Sequence, residues 1–240
     1  MGQISISPRV DLPADQHAAA LVAAVLVVTA LESHARAVVL VAAVLVAVEA
    51  VVPAIPQVAV VLVSMGLLID EHQPVIWRGP MLNGIIRQFL YQAEWGERDV
   101  LVVDLPPGTG DAQLSLAQAV PMAGVVIVTT PQQVSLQDAR RGLAMFRQMG
   151  IPVLGVAENM SSFIPPDLPD RRYALFGSGG GATLAADYDV PLLAQIPMEM
   201  PVQEGGDSGR PIVINRPDSA SASAFRELAD GVLQAVAQPA

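Results

Sequence analysis

Residues 104–111 read DLPPGTGD: a carboxylate closes an apolar run, and Pro106, Pro107, Gly108 and Gly110 then force a turn. Two chemistries are open to Asp104. It can hold a magnesium ion through water, because a hard cation prefers oxygen ligands and keeps several waters, or it can simply cap the turn. In the first case Gly108 would present its backbone N–H to a terminal phosphate, where a side chain would obstruct approach. Asn159, in VAENMSS, closes another apolar run; its carboxamide carries both a donor and an acceptor, as the edge of a purine base requires. An Asx-turn into Ser161 and Ser162 is the competing reading. A third run ends at Thr129, Thr130 and Pro131.

Other motifs fail on context. Gly177, Gly179 and Ala182 fit G-x-G-x-x-A, but PPDLPDRRYAL precedes them where a dinucleotide site needs a buried strand. A glycine-rich lead into a helix is the better reading. His17, His34 and His72 form no metal-binding spacing, and no serine sits in a nucleophile elbow.

The chain has 240 residues, enough to bury a full core. Its net charge of -10 argues against a nucleic-acid partner, which needs clustered positive charge. It has no cysteine, so disulfides, thiolate metal ligands and cysteine nucleophiles are excluded within it. Its 13 basic residues are all Arg, so a P-loop lysine cannot come from this chain.

These candidates need strands behind them. GERDVLVVDLP (96–106), AGVVIVTTP (123–131) and IPVLGVAEN (151–159) are short β-branched runs suited to strands buried on both faces, and VPLLAQIPM (190–198) extends the series. Helical spacing recurs in 111–120, in 135–150 with Ser135 as candidate N-cap and Gly150 just past the end, and in 219–237. The β-α-β-α order predicts an α/β fold, doubly wound around a mostly parallel sheet. In such sheets ligands bind beyond the carboxyl ends of the strands, where Asp104, Thr130 and Asn159 stand.

Before residue 64 the composition changes. Residues 18–63 are nearly all Ala, Val and Leu, with no clear period, and three readings are open: buried β/α structure, a membrane or surface-seeking hairpin, or sequence outside the ancestral frame. Glu32, His34, Arg36, Glu49, Pro53 and Pro56 break the apolar runs, and the first is shorter than the ~20 residues that span a bilayer, so a membrane role is disfavoured. The expected division is an atypical segment, 1–63, and a nucleotide-binding domain, 64–240.

PVIWRGPM (74–81), EWGERDVLVVDLPPGTGD (94–111), IVTTPQ (127–132), ENMS (158–161), FGSGGG (176–181) and the tail at 196–213 occur in an order that resembles the Mrp-type iron–sulfur cluster carrier ATPases, of the MinD/ParA-like deviant P-loop class. The resemblance runs from about residue 64 to the C-terminus. It implies a Rossmann-like, P-loop NTPase-like fold, ATP and Mg²⁺ as cofactors, a cytoplasmic homodimer, and iron–sulfur apoproteins as clients. By the same resemblance Asp104 is the Walker B aspartate holding Mg²⁺ through water, Gly108 the switch glycine and Asn159 the adenine contact. Pro107 and Thr130 join Asn159 as expected cofactor contacts.

Two departures stand out. The family's lysine-containing K-G-G-V-G-K-[ST] loop does not occur in residues 1–63, which removes a backbone nest, lysine charge and a magnesium-binding hydroxyl together. Where many members carry C-P-x-C the chain reads SSFIPPDLPDRRYAL, with Pro165 about where a cysteine stands, so no thiolate is available for a cluster. The resemblance therefore implies an ATP-binding cluster carrier with impaired hydrolysis. A non-catalytic interaction protein that keeps the family's dimer surface is the alternative, and enzymatic activity is left open.

Overall fold

A computed structural model describes residues 36–41, 79–93, 95, 100–105 and 111–237. Five strands form one sheet among them: β1 (Arg36–Val41), β2 (Val100–Leu105), β3 (Met122–Thr129), β4 (Val153–Phe163) and β5 (Leu192–Met198). Its order is β2-β1-β3-β4-β5, and every pairing is parallel. Seven helices accompany it: α1 (Gly79–Gln92), α2 (Asp111–Ala119), α3 (Gln133–Gln148), α4 (Gly180–Asp187), α5 (Met200–Ser208), α6 (Ile212–Asn215) and α7 (Ala220–Ala237).

This is the expected α/β architecture. Parallel strands need helical crossovers, and the β-branched runs lie where helices cover both faces. β1 comes from within the Ala/Val-rich segment and takes an inner position, flanked by β2 and β3.

The two faces carry separate cores. On one, Ile86 and Leu90 of α1, Leu116 of α2, Leu136, Leu143 and Phe146 of α3, and Leu184 of α4 pack over Leu101, Val103, Val125, Ile127 and Val156. On the other, Phe225, Leu228 and Val232 of α7 pack over Val126, Leu154, Ala194 and Ile196. β3 is buried on both sides from Val125 to Val128, whereas Val100 and Val102 of β2 remain half-buried on the α7 side.

The helix starts show what sequence signals miss. α3 begins at Gln133 with Gln132 as N-cap, not at Ser135. The Ser135 hydroxyl is taken by Thr130, whose Oγ1 donates to Ser135 Oγ at 2.7 Å, so a tertiary bond displaces the local cap. At α7 the local signal does operate. Ala222 N–H donates to Ser219 Oγ at 3.1 Å and Ser221 N–H donates to Glu199 Oε2 at 2.6 Å, which satisfies two first-turn donors and sets a carboxylate at the positive helix end. Ser219→Ala is expected to cost about 1 kcal/mol, read as a lower urea midpoint with unchanged slope.

Candidate functional site

The sheet topology defines where a ligand belongs. The chain passes from β1 to β2 on one side, returns past β1 to β3, and then continues outward through β4 and β5. Strand order therefore reverses between β1 and β3, and a crevice beyond the carboxyl ends of the strands opens at such a point.

Asp104 sits at the carboxyl end of β2, in register with Leu40 of β1. Its side chain is half-buried, and its Oδ1 is sealed from solvent with no hydrogen-bond partner among the described residues. Desolvation by burial pushes its pKa from 3.8 up to about 6. A carboxylate oxygen left without a partner among the described residues fits a hydrated hard cation, whose waters would supply the missing donors. Among the described residues no group of three or more His, Cys, Asp or Glu could hold a metal ion. Pro107 and Gly108 lie outside the described residues.

Thr130 and Asn159 end adjacent strands. Thr129 pairs with Glu158, which brings their successors Thr130 and Asn159 to the same level. Thr130 spends its hydroxyl proton on Ser135, so its oxygen faces a ligand only as an acceptor. Asn159 Oδ1 accepts the Met160 N–H at 2.9 Å, a local turn contact that leaves the amide NH₂ as the outward donor. Met160 has φ 56°, a left-handed conformation that a side chain of its size seldom adopts. Such strain concentrates at functional sites. β3 and β4 lie two and three strand spacings from β2, so Asp104 stands about 10 Å laterally from Thr130 and about 14 Å from Asn159. A compact substrate cannot bridge that gap, but an extended one with a base at one end and a metal-bearing phosphate at the other can.

The glycine-rich stretch serves packing. Gly177 and Gly179 have φ 86° and 73° and lead into α4, while the preceding segment forms an antiparallel bridge from Tyr173 to Phe163 instead of a buried strand. A Cβ on Gly180 would lie 2.5 Å from the Pro131 carbonyl oxygen, and one on Gly181 would lie 2.7 Å from Glu158 Cβ. The α4 N-terminus is already engaged, because Gly181 N–H donates to Glu158 Oε2 at 2.5 Å. Glu158, fully buried, is visible in the sequence as a strand-end residue, but its role is not, because its partners lie 23 and 37 residues away and no local spacing signals them.

Two expected features do not fit a complete phosphate and cluster site. The chain holds no lysine and no cysteine, and Pro165 lies in a turn that Leu168 N–H closes onto its carbonyl. Among the described residues no helix is long and apolar enough to cross a membrane.

A family model described as ParA, NUBPL iron-transfer P-loop NTPase, matches residues 31–233. The iron–sulfur cluster carrier protein of Synechocystis sp. is 66% identical over 177 residues, which are 74% of this chain and 50% of that protein. The iron–sulfur cluster transfer protein NUBPL of Mus musculus is 43% identical over 171 residues, 71% of this chain and 53% of that protein. The chain thus spans about half the length of the curated relatives it matches. Among solved structures, a nucleotide-binding protein from Archaeoglobus fulgidus in complex with ADP superposes with a TM-score of 0.57 at 28% identity, covering 80% of this chain and 79% of that one.

Proposed function

Since the chain belongs to the ParA/NUBPL family of iron-transfer P-loop NTPases, we propose that it is a nucleotide-binding member of the iron–sulfur cluster delivery machinery that supplies the metal and base ends of the nucleotide site but no catalytic phosphate cradle. The observation that carries this reading is the buried, unpartnered Oδ1 of Asp104 at the strand end beside the topological reversal. Similarity to proteins named cluster carriers, and to one solved with ADP, supports it.

Each residue has a task in this reading. Asp104 orients the waters of a magnesium ion, which when bound supplies positive charge to the phosphates. Thr130 offers an acceptor oxygen, and Asn159 presents its NH₂ to the adenine edge. Pro107 and Gly108 are assigned to the phosphate end by the family resemblance, a glycine being the residue type that lets a phosphate approach the backbone. The chain brings no lysine to the transferring phosphoryl group, and charge stabilisation there accounts for most catalysis of this type. The expected activity is nucleotide binding without turnover.

An iron–sulfur cluster enters as cargo, and this chain offers it no thiolate. Its contribution to delivery is then to engage apoprotein clients and a second copy of itself in the cytoplasm. Leu168, Tyr173 and Leu175, exposed on the loop after β4, give apolar surface that such a contact would cover.

Calorimetric titration with ADP and ATP in magnesium, run beside a phosphate-release assay, tests the reading. Heat on binding with release at background is expected. Absence of heat would favour a purely structural interaction protein, and magnesium-dependent release above background would overturn the missing-cradle argument.

A further inference from the structure

Glu158 is fully buried in β4, and among the described residues it has no ion-pair partner. Keeping a carboxylate in such a place is costly unless its oxygens are satisfied. Both are: Oε2 accepts the Gly181 N–H at 2.5 Å, and Oε1 accepts Nε2 of Gln195 at 2.8 Å. Gly181 lies in the first turn of α4, whose positive end favours a negative charge. The approach requires glycine, because a Cβ there would stand 2.7 Å from Glu158 Cβ. One side chain thus joins β4 to a helix in the layer above and to the next strand of the sheet.

The joint falls immediately before the ordered part of the sheet gives way. Glu158 pairs with Gln195 and Asn159 with Ile196, after which the β4–β5 register breaks until Phe163. Met160 already has its left-handed φ. Asn159 is therefore the last residue of the regular ladder, held on one side by Glu158 and on the other by a strained residue. Successive strand side chains point to opposite faces, so Glu158, directed at α4, cannot itself meet a ligand at Asn159.

We propose that Glu158 is a positioning residue for base recognition: its two-pronged attachment to Gly181 and Gln195 fixes the backbone from which the Asn159 carboxamide projects, and so sets the preference for adenine over other bases. The inference rests on the reading of Asn159 as the base contact. Glu158→Asp is one methylene shorter and cannot reach both partners. Glu158→Gln keeps both bonds: its Oε1 accepts from Gly181, its NH₂ donates to Gln195, and Gln195, exposed, turns its amide to accept.

The test measures dissociation constants of the full chain for magnesium ADP and magnesium GDP, with thermal unfolding to confirm folding. The unaltered chain is expected to prefer ADP, and Asn159→Ala to erase the preference. Glu158→Asp should reduce the ADP/GDP ratio by about five- to tenfold, the worth of one well-placed hydrogen bond, while Glu158→Gln retains it. If Glu158→Asp does not fold, Gly181→Ala disturbs the same joint from the helix side and should give the same loss. A ratio preserved in Glu158→Asp while Asn159→Ala destroys it overturns the inference alone. Equal weakening of both nucleotides also overturns it, as that is what general destabilisation would do. No preference in the unaltered chain, or none lost in Asn159→Ala, overturns the reading of Asn159 and the inference with it.

Discussion

Asp104→Asn is expected to make the protein more stable at pH 8 and to leave its stability unchanged below about pH 3. The buried carboxyl of Asp104 has its pKa raised from 3.8 to about 6, so ionisation is harder in the folded chain than in the unfolded one. Well below 3.8 both states hold the proton and the group is neutral in its effect. As pH rises toward 6 the unfolded chain releases its proton first, and above that the folded chain carries an uncompensated charge. A shift of this size corresponds to about 3 kcal/mol at most, and because the side chain is half-buried, solvent screening brings this to about 1–2 kcal/mol. Urea unfolding at a series of pH values should show the gap between the two proteins opening between about pH 3 and pH 6.5. A constant gap would mean that Asp104 is not desolvated. Magnesium ADP should raise the melting temperature of the unaltered chain and not that of Asp104→Asn. The residue would then weaken the fold for the sake of the ligand.

The second large effect concerns Gly180. A methyl group there would meet the Pro131 carbonyl oxygen at 2.5 Å and Leu136 Cδ1 at 2.8 Å. The leucine tip can turn aside, but the carbonyl belongs to the backbone at the end of β3 and cannot. α4 must lift, withdrawing the fully buried Leu184 from the core and stretching the bond from Gly181 to Glu158. Gly180→Ala should therefore cost about 2–3 kcal/mol, a fall of roughly 5–10 °C in melting temperature for a chain of this length. Gly84→Ala is the matched control. It lies on an exposed stretch of α1 with nothing within 4 Å of the added carbon, and it should stabilise by up to about 1 kcal/mol. If both substitutions act alike, the close approach of α4 to β3 is not what holds this corner.

These two positions also mark what can and cannot be read from the sequence. The strand ending at Thr129 announces itself through a β-branched run, because burial on both faces leaves few other residue types, and the valines before Leu105 read the same way. Asp104 and Asn159 are visible because a polar residue closing such a run is conspicuous. α1 is harder: Ile85, Ile86, Phe89 and Leu90 have helical spacing, but a proline at its second position and two glycines obscure the pattern. Ser135 misleads because its hydroxyl answers to Thr130, a neighbour fixed by the strand end and not by the helix. The role of Glu158 is beyond reach, since it depends on Gly181 and Gln195 arriving from later elements. β1 hides in low-complexity sequence, where a strand and a chance apolar run have the same composition.

The inner position of β1 has a consequence for synthesis on the ribosome. Arg36 to Val41 leave the exit tunnel early, yet they pair with Val100 to Leu105 on one side and with the strand from Met122 on the other, partners made roughly sixty and eighty residues later. At about 5–20 residues per second the nascent strand waits ~3–12 s with both edges unpaired, and up to ~16 s until the second is covered. An Ala/Val-rich segment in that state is a template for the wrong partner, including another nascent chain. Yield in the cell should thus depend on translation speed through residues 42–122 and on chaperone supply, even where the finished fold is stable.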